Sequence, residues 1–158
     1  MLAIDSQAVE DFWDKIKNKY SQDELKDIER YFFKPGGNFF IGLENNRIIG
    51  MCGYIPIDST TVELKRLRVE KSLRSQGYGT QLLRFTEKDI LSKDYKKIIF
   101  STASVREATL KFYSKHSYKK TGTSKYDELI TIEFEKWLTH GENHSDERGG
   151  NRYYKWSK

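Results

Sequence analysis

Glu63-Leu64-Lys65-Arg66-Leu67-Arg68-Val69, followed after Glu70–Leu73 by Arg74-Ser75-Gln76-Gly77-Tyr78-Gly79-Thr80-Gln81-Leu82-Leu83, is the stretch on which the fold turns. Its first half reads as a strand, although two adjacent charges, Lys65 and Arg66, sit in its middle. Its second half changes period. Tyr78, Leu82, Leu83, Thr86 and Ile90 share one face of a helix predicted from about Gly77 to Leu91. Gly77 and Gly79 therefore stand where a strand gives way to a helix. The free N–H groups of a helix start carry partial positive charge and bind phosphate oxygens. Glycine lets the backbone approach such an anion closely, and Arg74 adds a charged donor. No Lys-Ser or Lys-Thr follows the second glycine, which excludes a nucleotide P-loop. The third small residue of a dinucleotide fingerprint is replaced by Leu82. Two glycines alone are also what a tight structural turn requires.

Upstream, Val9, Phe12, Trp13, Ile16 and Tyr20 predict an amphipathic first helix. Ser21-Gln22-Asp23-Glu24 has capping-box form and opens a second helix through Leu25, Ile28 and Phe32, which Pro35-Gly36-Gly37 should end. Asn38 to Leu43 and Arg47 to Pro56 are predicted antiparallel strands around Glu44-Asn45-Asn46, and Val62 to Val69 is the next strand. Downstream come a short strand from Lys97 to Ser101 and a helical face of Val105, Ala108, Thr109, Phe112 and Tyr113. Strands Tyr118 to Ser124 and Leu129 to Leu138 complete the order ααβββαβαββ. This is an α/β (α+β) fold with a mixed central sheet. The unit from Val62 to Ser101 is too long for a hairpin and reads as a right-handed crossover between parallel strands. Residues 1–138 form one domain. Residues 139–158 read as a polar, flexible tail with Tyr153, Tyr154 and Trp156 as a candidate docking patch.

Composition bounds the remaining classes. The chain has 158 residues, one domain's worth, with 37% hydrophobic and 32% charged residues and a formal net charge of +5. That charge suits nucleic acid, an anionic membrane, a phosphate-rich ligand or merely a solvated surface, and does not choose among them. A single cysteine, Cys52, excludes an intrachain disulfide and a cysteine-based metal site. The N-terminus lacks the apolar core of a secretory signal, and no apolar run reaches membrane-spanning length. The expected location is the cytoplasm, or the nucleus of a eukaryote, with no membrane partner.

The segment Glu63–Val69 followed by Arg74–Leu83 resembles the signature of the GNAT superfamily of N-acetyltransferases, which carries Gln/Arg-x-x-Gly-x-Gly/Ala after its fourth strand. A second family segment is matched by Ala108-Thr109-Leu110-Lys111-Phe112-Tyr113-Ser114-Lys115-His116-Ser117-Tyr118. The element order is similar from about Val9 to Leu138. Two positions depart: Ser117-Tyr118 replaces a common Gly-Phe, and Arg106 replaces a frequent Asn. The resemblance implies direct transfer from acetyl-CoA, a cosubstrate, to an amine in a ternary complex, with no metal. The donor would lie in a V between splayed strands, here Val62–Val69 and Lys97–Ser101. Main-chain groups of Leu67, Arg68 and Val69 would hold the pantetheine and polarise the thioester carbonyl. Arg74, Ser75, Gln76, Gly77, Tyr78, Gly79 and Thr80 would hold the pyrophosphate. Glu63 matches the general base of some members, and Tyr113 the tyrosine near the coenzyme sulfur, a general acid.

Other readings stay open beside these. Glu63 also fits a pair with Lys65 or another strand's lysine, and Tyr113 also fits an aromatic core position on its helix face, as Phe112 does. Cys52 lies in an apolar strand and reads as packing. His116, His140 and His144 lack metal-ligand spacing. Tyr126, Asp127 and Glu128 form either an acidic acceptor site for a cationic amine or a plain hairpin loop. The acceptor is a small molecule, a peptide N-terminus or a lysine side chain, and a homodimer is left open. Two other classes compete: an inert acyl-CoA-binding sensor, and a basic nucleic-acid-binding module, for which no reading motif is present and no nucleic acid is expected.

Overall fold

A computed structural model of the chain describes residues 23–103, 106–126, 129–140 and 152–155. The predicted first helix, Ser21 of the capping box, Val105, Asp127, Glu128 and His144 lie outside them. The elements are α1 (Asp23–Lys26), β1 (Asn38–Glu44), β2 (Arg47–Pro56), β3 (Thr61–Val69), α2 (Tyr78–Ser92), β4 (Lys97–Thr102), α3 (Glu107–Lys115), β5 (Lys119–Tyr126), β6 (Leu129–Trp137) and β7 (Arg152–Lys155). The described residues form one seven-stranded sheet in the order β5-β6-β4-β3-β2-β1-β7. Only β3 and β4 run parallel, which is the predicted crossover through α2; the other neighbours are antiparallel.

The predicted second helix is broken. α1 stops at Lys26, and a π-helical turn follows at Glu29–Phe33. Asp27 explains the break, because its Oδ1 accepts the Arg30 N–H at 3.1 Å and competes with continued helix. The wide turn swings Phe32 inward, fully buried and edge-on to Phe39 with centroids 4.9 Å apart. Between β1 and β2, Asn45 and Asn46 both take positive φ (49° and 60°), as the two-residue hairpin demands. Residues 152–155, within the stretch read as a flexible tail, join the sheet as β7 against β1.

One sheet face packs against α2 and α3. Val62, Leu64, Ile98, Phe100, Ile132 and Phe134 meet Leu82, Leu83, Ile90 and Tyr113 there. Each such side chain contributes roughly 1.5–3 kcal/mol of transfer free energy. The opposite face buries Leu25, Ile28, Phe32, Phe39, Ile41 and Met51 beneath α1 and the π turn. Lys136 follows Ile132 and Phe134 on the first face, so the strand's alternation buries it. It is paired with Glu87 of α2 at 3.1 Å, and Tyr118 Oη donates to Glu87 Oε1 at 2.8 Å.

Candidate active site

The central sheet splits. β3 and β4 pair only at Thr61↔Lys97, Val62↔Ile98 and Glu63↔Ile99. Beyond Glu63, β3 stays with β2 as far as Gly50↔Val69, while β4 stays with β6 as far as Thr102↔Ile132. A wedge therefore opens at Glu63, where the expected splay lies. Val62 and Leu64 belong to the core beneath α2, so strand alternation puts Glu63 on the opposite face. The split lets groups from both faces address one gap.

The β3 wall of the wedge is irregular. Cys52 of β2 faces both Arg66 and Leu67, because the register slips between Met51↔Arg68 and Gly53↔Lys65. Arg66 takes φ +60°, a left-handed conformation that costs about 1–2 kcal/mol for a side-chain-bearing residue. Past this bulge, Glu70 N–H donates to Ile49 O of β2 at 2.8 Å. Extended residues alternate edges, so Leu67 and Val69 turn their polar groups away from β2 and toward the wedge. Their carbonyls are already held: Arg68 Nη1 donates to Leu67 O at 2.9 Å, and Arg74 Nε to Val69 O at 3.2 Å. The N–H groups on that edge are thereby left to face a ligand.

At the wedge's end the chain makes a short 3-10 turn at Lys71–Leu73 and enters α2 through Ser75 (φ 62°) and Gly77 (φ 90°). A Cβ on Gly77 would meet nothing within 4 Å, so conformation rather than space calls for glycine there. Gly77 O accepts the Gln81 N–H at 3.0 Å, and no side chain caps the helix. The cap residue, a glycine, offers no side chain to the first-turn donors of α2. Gly79 packs between Phe112 and Val69, since a Cβ there would lie 3.5 Å from the ring and 3.7 Å from Val69 Cγ2. Tyr78 Oη donates to Glu44 Oε1 at 2.8 Å, which anchors the helix start and takes that side chain out of the loop. Gln76 Nε2 closes the loop on Ser72 O at 3.1 Å, while Arg74 and Ser75 are exposed.

Tyr113 is buried against Phe100, with centroids 4.3 Å apart. Burial pushes its phenol well above the ordinary value, the Cys52 thiol adds to this, and the Arg68 charge works against it. Cys52 is fully buried and its thiol is pushed up to about 12 by burial, which bears out the packing role. His116 lies against the Phe112 ring, its Nδ1 2.7 Å from Phe112 O. Among the described residues the Glu63 carboxylate has no hydrogen-bond or ion-pair partner, and Lys65 instead holds Glu24 at 2.6 Å. No group of three or more metal-ligating side chains occurs among the described residues, and no described helix is long and apolar enough to cross a membrane.

Sequence reasoning missed the bulge, the two arginine-held carbonyls and Glu24. The adjacent charges Lys65 and Arg66 were the signal: both reach the Glu24 carboxylate, Arg66 through Nε at 3.0 Å and Nη2 at 2.9 Å. Burial works to raise the Glu24 pKa, but the hydrogen bonds and charges of Lys65 and Arg66 prevail and hold it below the ordinary carboxylate value of 4.5. A depressed folded-state pKa contributes stability that is present above the unfolded value and lost as pH falls through the folded one. The melting-temperature gap between wild type and Glu24→Gln should accordingly be full above about pH 5 and close as the pH falls below about 4. A gap independent of pH would show that the pair does not contribute through charge.

The Acetyltransferase (GNAT) family model matches residues 6–118. Human N-acetyltransferase 8 is 27% identical over 107 residues, 64% of this chain and 47% of that protein. The chain spans between about a third and about half the length of the curated relatives it matches. Among solved structures, an acetyltransferase from Streptococcus agalactiae superposes with a TM-score of 0.75 at 19% identity, covering 85% of this chain and 92% of that one. An aminoglycoside 6'-N-acetyltransferase complexed with coenzyme A gives a TM-score of 0.65 at 21% identity, covering 84% and 87%. At these identities the structural likeness speaks for the fold.

Proposed function

From the premise that the chain belongs to the acetyltransferase (GNAT) family, we propose that it transfers an acetyl group from acetyl-CoA to a primary amine by direct attack in a ternary complex. The observation that carries this reading is the wedge itself: pairing of β3 with β4 stops at Glu63, and an uncapped helix start closes the far end. The residues suit the donor. The first-turn N–H groups of α2 at Tyr78, Gly79 and Thr80, with Arg74 beside them, match a pyrophosphate, and charge-assisted bonds of this kind contribute about 1.5–3 kcal/mol each. Ser75, Gln76 and Gly77 shape that loop. Leu67, Arg68 and Val69 offer an extended edge to a strand-like pantetheine arm. Acetyl-CoA supplies an activated thioester; the chain binds it, orients it and moves protons.

Glu63, at the mouth of the split, takes a proton from the acceptor amine directly or through water. Tyr113, on the other face, returns one to the departing sulfur. Burial makes that phenol a weaker acid, and the nearby Arg68 guanidinium counters a small part of this by favouring its anion as the proton leaves.

A free-thiol release assay with acetyl-CoA against an amine library tests the reading. Tyr113→Phe should lower kcat by about 100-fold or more while the coenzyme dissociation constant stays within about twofold. Glu63→Gln should lower kcat similarly near pH 7, with the deficit shrinking toward pH ~10, where the amine deprotonates unaided. Full turnover in Tyr113→Phe would remove the phenol from the acid role. Coenzyme binding without turnover on any amine would favour an inert acyl-CoA sensor.

A further inference from the structure

Consecutive residues of a regular strand point to opposite faces of a sheet. Lys65 and Arg66 are consecutive in β3, yet both grip one carboxylate: Glu24 Oε1 is 2.6 Å from Lys65 Nζ, and Glu24 Oε2 is 3.0 Å from Arg66 Nε. Only the bulge permits this. The positive φ of Arg66 turns its side chain to the same side as Lys65, toward α1. Two adjacent cations on one side repel each other and oppose the bulge unless a carboxylate lies between them. The three side chains are well shielded, with 19% exposure for Glu24, 22% for Lys65 and 15% for Arg66, so solvent screens the contact only partly.

We infer that Glu24 is a positioning residue: by clasping Lys65 and Arg66 it selects the bulged form of β3 and so aims the Leu67 and Val69 main chain into the wedge. The consequence for catalysis rests on the acetyl-transfer reading; the clasp itself does not. A regular β3 would shift Leu67 and Val69 by one position relative to β2 and turn their N–H groups into the ladder. α1 thus sets the geometry of a wall it does not line.

Amide hydrogen exchange with and without coenzyme A, alongside steady-state kinetics, tests the inference. In Glu24→Gln without coenzyme, exchange at Leu67 and Val69 should slow about tenfold as their N–H groups enter the ladder, and exchange at Arg68 should accelerate, while the core of α2 and β6 is unchanged. kcat should fall about ten- to a hundredfold and coenzyme affinity should weaken by less than that, because the pantetheine edge shifts while the pyrophosphate loop is untouched. Adding Arg66→Gly should restore both readouts, since glycine takes φ +60° at no cost and carries no charge to repel Lys65. Unchanged exchange at Leu67–Val69 in Glu24→Gln, a uniform acceleration across all strands, or failure of Arg66→Gly to rescue would each overturn the inference. A wild-type chain without turnover would sink the acetyl-transfer reading alone, because local exchange and its rescue decide the clasp without any substrate.

Discussion

Gly77→Asp should abolish coenzyme A binding while leaving the fold intact. The position has φ 90° with open space where a Cβ would go, so the cost to the fold is conformational and small, and aspartate is among the residues that tolerate positive φ. The cost to the ligand is larger and twofold. An aspartate at the cap position of α2 accepts the first-turn N–H groups, which are the donors a pyrophosphate needs. Its charge also repels the phosphates it displaces. Titration calorimetry should show affinity lower by at least about 100-fold, or ~2.7 kcal/mol, with a melting temperature within a few degrees of wild type. Gly77→Asn, which keeps the backbone preference without the charge, should fall between the two. Unchanged affinity in the aspartate variant would sink the phosphate assignment.

Lys136→Met should be the most destabilising of the substitutions considered. The Lys136 side chain is 6% exposed and its partner Glu87 11%, with Nζ 3.1–3.2 Å from both carboxylate oxygens. Removing the cation strands a buried carboxylate, and Tyr118 Oη can satisfy only part of it. Breaking one side of a buried pair costs about 3–5 kcal/mol, which for a domain of this size lowers the melting temperature by on the order of 10 °C. Glu87→Gln in the same background should recover most of the loss. The amide is neutral and its oxygen still accepts from Tyr118. If the single variant lost less than about 1 kcal/mol, or the double variant recovered nothing, the pair would not be structural in the sense argued.

Elements fixed by local chemistry were legible in the sequence. Asn45-Asn46 announced a hairpin because both residues accept left-handed backbone, and Gly77 announced the start of α2. Alternation through Ile132 and Phe134 gave the buried face of β6; carried two residues further it would have exposed Lys136 as a buried cation. Three features were not legible, for different reasons. The π turn depends on Asp27 choosing the Arg30 N–H over solvent, a contest that composition does not resolve. The bulge at Arg66 has no glycine to mark it; its cause lies more than forty residues earlier, in Glu24. β7 is a short polar run whose partner, β1, is distant in the chain, so periodicity carries no trace of it. In the site, the glycine turn and the wedge strands were readable through the family resemblance. Which main-chain groups face the gap followed only from the observed register.

The sheet's two margins have a bearing on how the chain behaves at high concentration. An exposed strand presents a row of unsatisfied donors and acceptors that templates other chains into fibres. On one side the margin is β7 itself, whose four residues cover Phe40–Leu43 of β1 and leave only a very short open edge. On the other, β5 carries Lys119, Lys120 and Lys125, all exposed, and its register slips between Lys120 and Gly122, so an incoming strand meets like charge and a broken ladder. With one margin very short and the other electrostatically fenced, addition of a foreign strand is disfavoured at both. The parallel pair, which parts beyond Glu63, keeps its unpaired backbone inside the sheet, away from either margin.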